Sequence, residues 1–169
     1  LPIKKLIAST NANNAFPNFL KNGQFYPKSS IRTISNAMDV GSPNNISRII
    51  SIYQNDINKI RTDLVSWSFS DNSTRKEIKK IKLNEDYILD PHTAVGLLGI
   101  EKYNSSQKNT DIKIVIATAH PAKFYDIVEP IIGKKIKFPM SLQNSMKKQK
   151  NSIIIPANYL SLKEFLIKS

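Results

Sequence analysis

The sequence predicts an α/β fold, a parallel or mixed sheet flanked by helices, on three observations. Short β-branched apolar runs at residues 3–8 and 112–117 have strand character, and each leads into a polar loop. Apolar residues at 46, 49, 50, 53, 57 and 60 recur with the period of about 3.6 residues that marks an amphipathic helix. Asp90-Pro91 sets a capping carboxylate before a proline, a common way for a helix to begin. Strands alternating with helices imply layers, with ligands bound outside the carboxyl ends of the strands.

Taken in order, residues 3–8 form a short strand that ends in the polar run Ser9-Thr10-Asn11-Ala12-Asn13-Asn14. From Phe16 to Asp39, Pro17, Gly23 and Pro27 interrupt any periodic pattern, which predicts a functional loop region. Ser42-Pro43 predicts a helix start, and the helix carries Ile46, Ile49, Ile50, Tyr53, Ile57 and Ile60 on one stripe with Arg48, Asn55 and Lys59 elsewhere. Residues 70–74 break that pattern and open a short, charged helix around Ile78 and Ile81, expected to face solvent. After Asp90-Pro91, Val95, Leu97, Leu98 and Ile100 stand among small residues, which predicts a buried helix. Residues 112–117 are apolar except for Lys113, the pattern of a central strand covered on both faces. A helix over 121–132 stopped by Gly133 and a last short helix over 161–168 complete the chain.

Composition narrows the function classes. With 169 residues, 40% of them hydrophobic, the chain is long enough to bury a core, and no apolar run approaches the roughly 18 residues of a bilayer span. No cysteine is present, which excludes disulfides, thiolate metal sites and cysteine nucleophiles; two histidines are too few for a metal cluster, so no metal is expected. The net charge of +12 raises nucleic acid or an anionic membrane as a partner. The lysines are spread through the chain beside many Asn and Ile, however, and cluster only at Lys79-Lys80 and Lys147-Lys148-Gln149-Lys150, as compositional drift would leave them. Neither partner is therefore expected, and the absence of a secretory pattern at the amino terminus points to the cytoplasm. Five glycines leave little scope for a phosphate-cradling loop or a nucleophile elbow.

The candidate site lies at the polar corners: 9–13, 90–93 and 118–121. His92 and His120 both stand beside prolines there. Read from the residues alone, each polar side chain is a helix cap or a ligand contact, and capping is the simpler account.

At Thr118-Ala119-His120-Pro121-Ala122-Lys123-Phe124 the sequence resembles the Thr-Ala-His-Pro-Ala-Lys-Phe signature of bacterial and fungal threonine synthases. Thr10-Asn11-Ala12-Asn13, Ser35-Asn36-Ala37-Met38-Asp39-Val40 with Gly41-Ser42-Pro43-Asn44-Asn45, and Asp90-Pro91-His92 agree in order. The likeness runs from Leu1 to about Phe165 and weakens over 63–86 and 147–150. Gly41-Ser42 and Asp90 stand where other members often have Ser-Gln and Glu, changes that keep the polarity.

The resemblance implies part of a fold-type II pyridoxal-phosphate enzyme, a carbon–oxygen lyase that converts O-phospho-L-homoserine and water to L-threonine and phosphate. Residues 1–169 would be the C-terminal portion of the catalytic (large) domain. The aldimine-forming lysine and the Ser-Gly-Asn-Phe-Gly loop that holds the cofactor phosphate would lie upstream, so no catalytic residue is expected here and the chain alone should be inert. An incomplete sheet should also expose an apolar edge prone to aggregation. In the resemblance Thr118, with Ala119 and His120, meets the cofactor, Thr118 at its pyridine nitrogen; Asn11, Asn13, Ser42, Asn44, Asp90 and His92 line the pocket. The alternatives are another lyase of that fold such as a threonine dehydratase, for which the 118–124 run is the wrong signature, and a basic nucleic-acid-binding module. The resemblance leaves oligomeric state open.

Overall fold

In the computed structural model, residues 2–106 and 110–168 are described, and they divide into two compact units, one reaching to Lys137 and one beginning at Phe138. The first unit is built on a parallel pair, β1 (Leu6–Thr10) and β2 (Leu64–Ser68), in register from Leu6 against Leu64 to Thr10 against Ser68. The strand expected over 3–8 therefore lies slightly later in the chain, so that the polar residues Ser9 and Thr10 belong to the ladder. Its partner, Leu-Val-Ser-Trp-Ser, sits directly after a helix with no turn residues between, which hid it from the sequence reading.

Helix α1 (Ala15–Asn22) occupies part of the region expected to be loop. Pro17 falls in its first turn, where the missing N–H costs no internal hydrogen bond, and Gly23 at φ +78° closes it with an N–H to the Phe19 carbonyl. The Arg61 guanidinium then takes the free carbonyls of Leu20 (2.7 Å) and Lys21 (3.0 Å). Phe19 and Leu20 join Ile46, Ile60 and Leu64 in one buried cluster, with Phe16, Ile49, Ile50, Tyr53 and Ile57 packed around it.

The stripe from Ile46 to Ile60 is real, but it is carried by two helices, α2 (Ile46–Ile52) and α3 (Ile57–Asp63). Gln54 and Asn55 adopt left-handed φ angles of 53° and 62°, and the Asp56 carboxylate accepts from the N–H groups of Asn58 and Lys59. Asn tolerates the left-handed region and Asp caps, so Asn55-Asp56 is a stop followed by a start. Nor does Ser42-Pro43 begin a helix: α2 starts at Ile46, after a turn.

Ser70 caps α4 (Asp71–Glu85), which is longer than expected and not simply solvent-facing, since Thr74, Glu77 and Ile78 are buried against α5 (Pro91–Ser106) and α6 (Tyr125–Ile132). Lys80 reaches both Glu77 and Glu101, tying α4 to α5. Helix α5 is buried as expected, with Ala94 and Val95 wholly inaccessible, and it lies across β1. That approach is set by Gly99, where a Cβ would stand 1.8 Å from Ser9 Oγ.

Residues 112–117 do not form a strand. Val115 turns toward Gly96 of α5, while Ile112, Ile114 and Ile116 are 92%, 80% and 78% exposed. The alternation is that of an extended segment with one covered face; among the described residues, the second face has no cover. A turn over Pro121–Phe124 leads into α6, which Gly133 ends at φ +65°. The second unit holds α7 (Met140–Met146), just ahead of the Lys-rich stretch at 147–150 and where no helix was expected, and α8 (Tyr159–Lys168). No helix among the described residues is long and apolar enough to cross a membrane.

The tight crossing of α5 over β1 is testable. Gly99→Ala should destabilise the chain by about 1–3 kcal/mol through overpacking. Among the described residues Ser9 Oγ is buried without a hydrogen-bond partner, so Ser9→Ala should be neutral or stabilising and should recover most of that loss in the double variant. Urea unfolding of the four proteins measures the cycle.

Candidate functional site

Two linked clusters of polar side chains gather the corners singled out in the sequence. The first surrounds Asp39. Its Oδ1 accepts from Asn11 Nδ2 (2.8 Å), Asn13 Nδ2 (3.2 Å) and the Thr33 hydroxyl (2.7 Å), and its Oδ2 accepts from the Thr33 N–H (2.9 Å). Asn11 Nδ2 also reaches Thr33 Oγ1 at 2.7 Å and the Ser35 carbonyl at 3.2 Å, and its Oδ1 takes the backbone N–H and the amide of Asn13, both at 2.9 Å. Asn13 completes the set by exchanging hydrogen bonds with the backbone of Ile31. Asn11, Asn13, Thr33 and Ser35 are all buried. The loop after β1 is thus bound to the 31–39 segment by side chains whose donors and acceptors are spent on one another.

The second cluster begins at Asp90, ahead of α5. Its Oδ1 accepts from the N–H of His92 (2.9 Å) and Thr93 (3.4 Å) and from His92 Nδ1 (2.9 Å), while Oδ2 takes the Thr93 hydroxyl. Burial pushes the Asp90 carboxyl up, but the hydrogen bonds from His92 and Thr93 outweigh it and hold the group below its ordinary range. On the other side of the imidazole, Nε2 meets the Ala37 N–H at 3.1 Å. A backbone N–H can only donate, so Nε2 is the acceptor and the neutral ring carries its proton on Nδ1, facing Asp90. The ring also packs on Phe124, 4.7 Å between centroids.

Four of the candidate side chains are therefore built in: Asn11 and Asn13 around Asp39, Asp90 and His92 at the head of α5. The others stand apart. Ser42 and Asn44 are exposed on the turn before α2, and the contact recorded at Asn44 is its carbonyl accepting from Ser47 Oγ at 3.0 Å. Thr118 is exposed, and its hydroxyl makes no hydrogen bond among the described residues; Ala119 is half-buried. His120 caps the following turn, with Nδ1 accepting from the Ala122 N–H at 3.1 Å. Sequence reasoning overlooked Thr33, Asp39 and Phe124 as functional positions, although Asp39 and Phe124 lie inside quoted motifs. An acid between two small polar runs was the available signal.

A family model described as threonine synthase, C-terminal, matches residues 93–166. The threonine synthase of Buchnera aphidicola subsp. Acyrthosiphon pisum is 38% identical over 172 residues, covering 99% of this chain and 38% of that protein. The Haemophilus influenzae threonine synthase is 35% identical over 100% of this chain and 39% of its own length. Among solved structures, threonine synthase from Escherichia coli superposes with a TM-score of 0.81 at 33% identity, over 99% of this chain and 38% of that one. Along its whole length the chain is similar to part of these threonine synthases. It spans about two fifths of the length of the curated relatives it matches. A pyridoxal-phosphate-bound threonine synthase from Brucella melitensis, 24% identical, shares the fold with a TM-score of 0.80.

For pyridoxal phosphate the described residues offer a partial fit. Thr118 presents a neutral hydroxyl with no competing hydrogen bond, suited to a pyridine nitrogen. A cradle of backbone N–H groups for the phosphate is missing among them, since the two glycines at positive φ, Gly23 and Gly133, both end helices.

Two outcomes follow. Asp39→Ala leaves the Asn11, Asn13 and Thr33 donors without their shared acceptor and should cost about 3 kcal/mol in urea unfolding. Because the Asp90 value is depressed in the folded chain, its contribution is fully present above the unfolded-state value and is lost as pH falls through the lower folded value. Asp90→Asn should flatten the acid limb of a stability-versus-pH curve while leaving the neutral region parallel to that of the parent.

Proposed function

We propose that this chain is the C-terminal portion of the catalytic domain of a threonine synthase, a cytoplasmic enzyme that converts O-phospho-L-homoserine and water to L-threonine and phosphate with pyridoxal phosphate as cofactor. The observation that carries the reading is the convergence of the family-like motifs: 10–13 and 35–40 meet at Asp39, and 35–40, 90–92 and 118–124 meet at His92. In net terms the Cγ–O bond to phosphate and one Cβ–H bond break, Cγ gains a proton, and water adds its hydroxyl at Cβ while its other proton leaves with the phosphate.

When bound, pyridoxal phosphate supplies the electron sink that makes the substrate's C–H bonds acidic. By the resemblance Thr118 would meet the ring nitrogen, with Ala119 and His120 beside it in the loop. A hydroxyl, being neutral, leaves that nitrogen largely unprotonated, which moderates the sink and favours proton shuttling with loss of phosphate. Asn11 and Asn13 act by fixing the loop after β1. Ser42 and Asn44, exposed and polar, are available to hydrogen-bond substrate oxygens. None of the lysines stands in the context of a cofactor-linking lysine, so the chain alone should be inactive.

The test is phosphate and threonine release from O-phosphohomoserine by the protein expressed from the complete reading frame with pyridoxal phosphate. Equal amounts of both products are expected. A folded, cofactor-binding protein that yields neither would sink the assignment. Thr118→Asp, which places a carboxylate at the ring nitrogen, should lower kcat by roughly a hundredfold without altering cofactor retention on gel filtration.

A further inference from the structure

The side chain that links the most segments of the site is His92. Its Nδ1–H holds the Asp90 carboxylate that caps α5, its Nε2 holds the Ala37 N–H in the 36–38 turn, and its ring lies against Phe124 at the end of the turn that follows Thr118. The side chain is 7% exposed, and both ring nitrogens are occupied by protein groups. A ligand contact would need one of those nitrogens free.

We infer that His92 is a positioning residue, held in the Nδ1–H tautomer, that fixes the spacing between the 36–38 turn and the 121–124 turn. As a coupling between the two turns the inference stands on the geometry; as a role in the reaction it rests on the function proposed above. The imidazole is suited to the task because it is rigid and bifunctional. With Asp90 drawing the proton to Nδ1, Nε2 is left as an acceptor for a backbone donor that has no other partner in its turn.

His120 supplies an internal control. Its Nδ1 accepts from the Ala122 N–H, so its proton belongs on Nε2. With only two histidines in the chain, a long-range proton–nitrogen spectrum of the labelled protein should show one ring of each tautomer. Finding His92 as Nε2–H, or doubly protonated at neutral pH, would overturn the inference.

Two variants separate the halves of the link. His92→Gln can place an oxygen near the Nε2 position and keep the Ala37 bond, whereas His92→Asn can reach Asp90 but not Ala37. In the Asn variant, amide exchange at Ala37 should accelerate about tenfold, while the Gln variant should stay within about threefold of the parent. In the protein expressed from the complete reading frame, the Asn variant should lose about tenfold in kcat with KM unchanged, and the Gln variant should recover most of it. Equal exchange rates in all three proteins would discard the coupling whether or not the variants turn over. A parent without activity on O-phosphohomoserine removes the proposed function, while the tautomer and the Ala37 exchange rate still decide the coupling.

Discussion

Asp39 is the acceptor around which the site is arranged. Its carboxylate takes the amide groups of Asn11 and Asn13, which belong to the loop after β1, and the backbone and hydroxyl of Thr33, which belong to the returning segment. A carboxylate with that many donors is satisfied without a cation, and charge-assisted hydrogen bonds are roughly twice as strong as neutral ones. The segment it organises has almost no regular structure between α1 and α2, only the short turn over Asn36–Met38. Side-chain hydrogen bonds do there what a ladder or a helix does elsewhere.

From that anchor the order passes to His92 by one backbone hydrogen bond, and from His92 to Phe124 by a ring contact. Asp90 begins α5 and also sets the tautomer of His92, and His120 begins the turn over Pro121–Phe124. The carboxylate oxygen that starts the helix is the one that holds the imidazole.

What was legible in the sequence depended on the range of the signal. Asp90-Pro91 and Gly133 were read correctly because caps are local, and the buried helix between residues 91 and 106 followed from its small and apolar residues. The break at Asn55 was missed because apolar periodicity continues through it, and periodicity reports which face is dry, not whether the backbone is continuous. Strand β2 was missed because its partner β1 lies far away in sequence, and parallel pairing leaves no turn signature. At the site, the motifs named the segments that meet. That Asn11 and Asn13 are spent on Asp39, and that Thr118 is not, required the coordinates.

The segment 112–117 shows the same boundary from the other side. Its run of isoleucine and valine was read as a strand dry on both faces, because apolar side chains on alternate sides are useful only where both sides exclude water. The structure provides one such side, where Val115 meets α5 at Gly96, and leaves Ile112, Ile114 and Ile116 in solvent. Burying an isoleucine fully is worth about 1.5–3 kcal/mol, so three exposed in register forgo a stabilisation comparable to much of a domain's net stability. Isolated exposed apolar residues are ordinary, but three at alternate positions of one extended segment share a face rather than scatter. The pattern therefore encodes a dry environment that the described residues do not themselves create, and here the sequence and the fold of the chain part company for a physical reason.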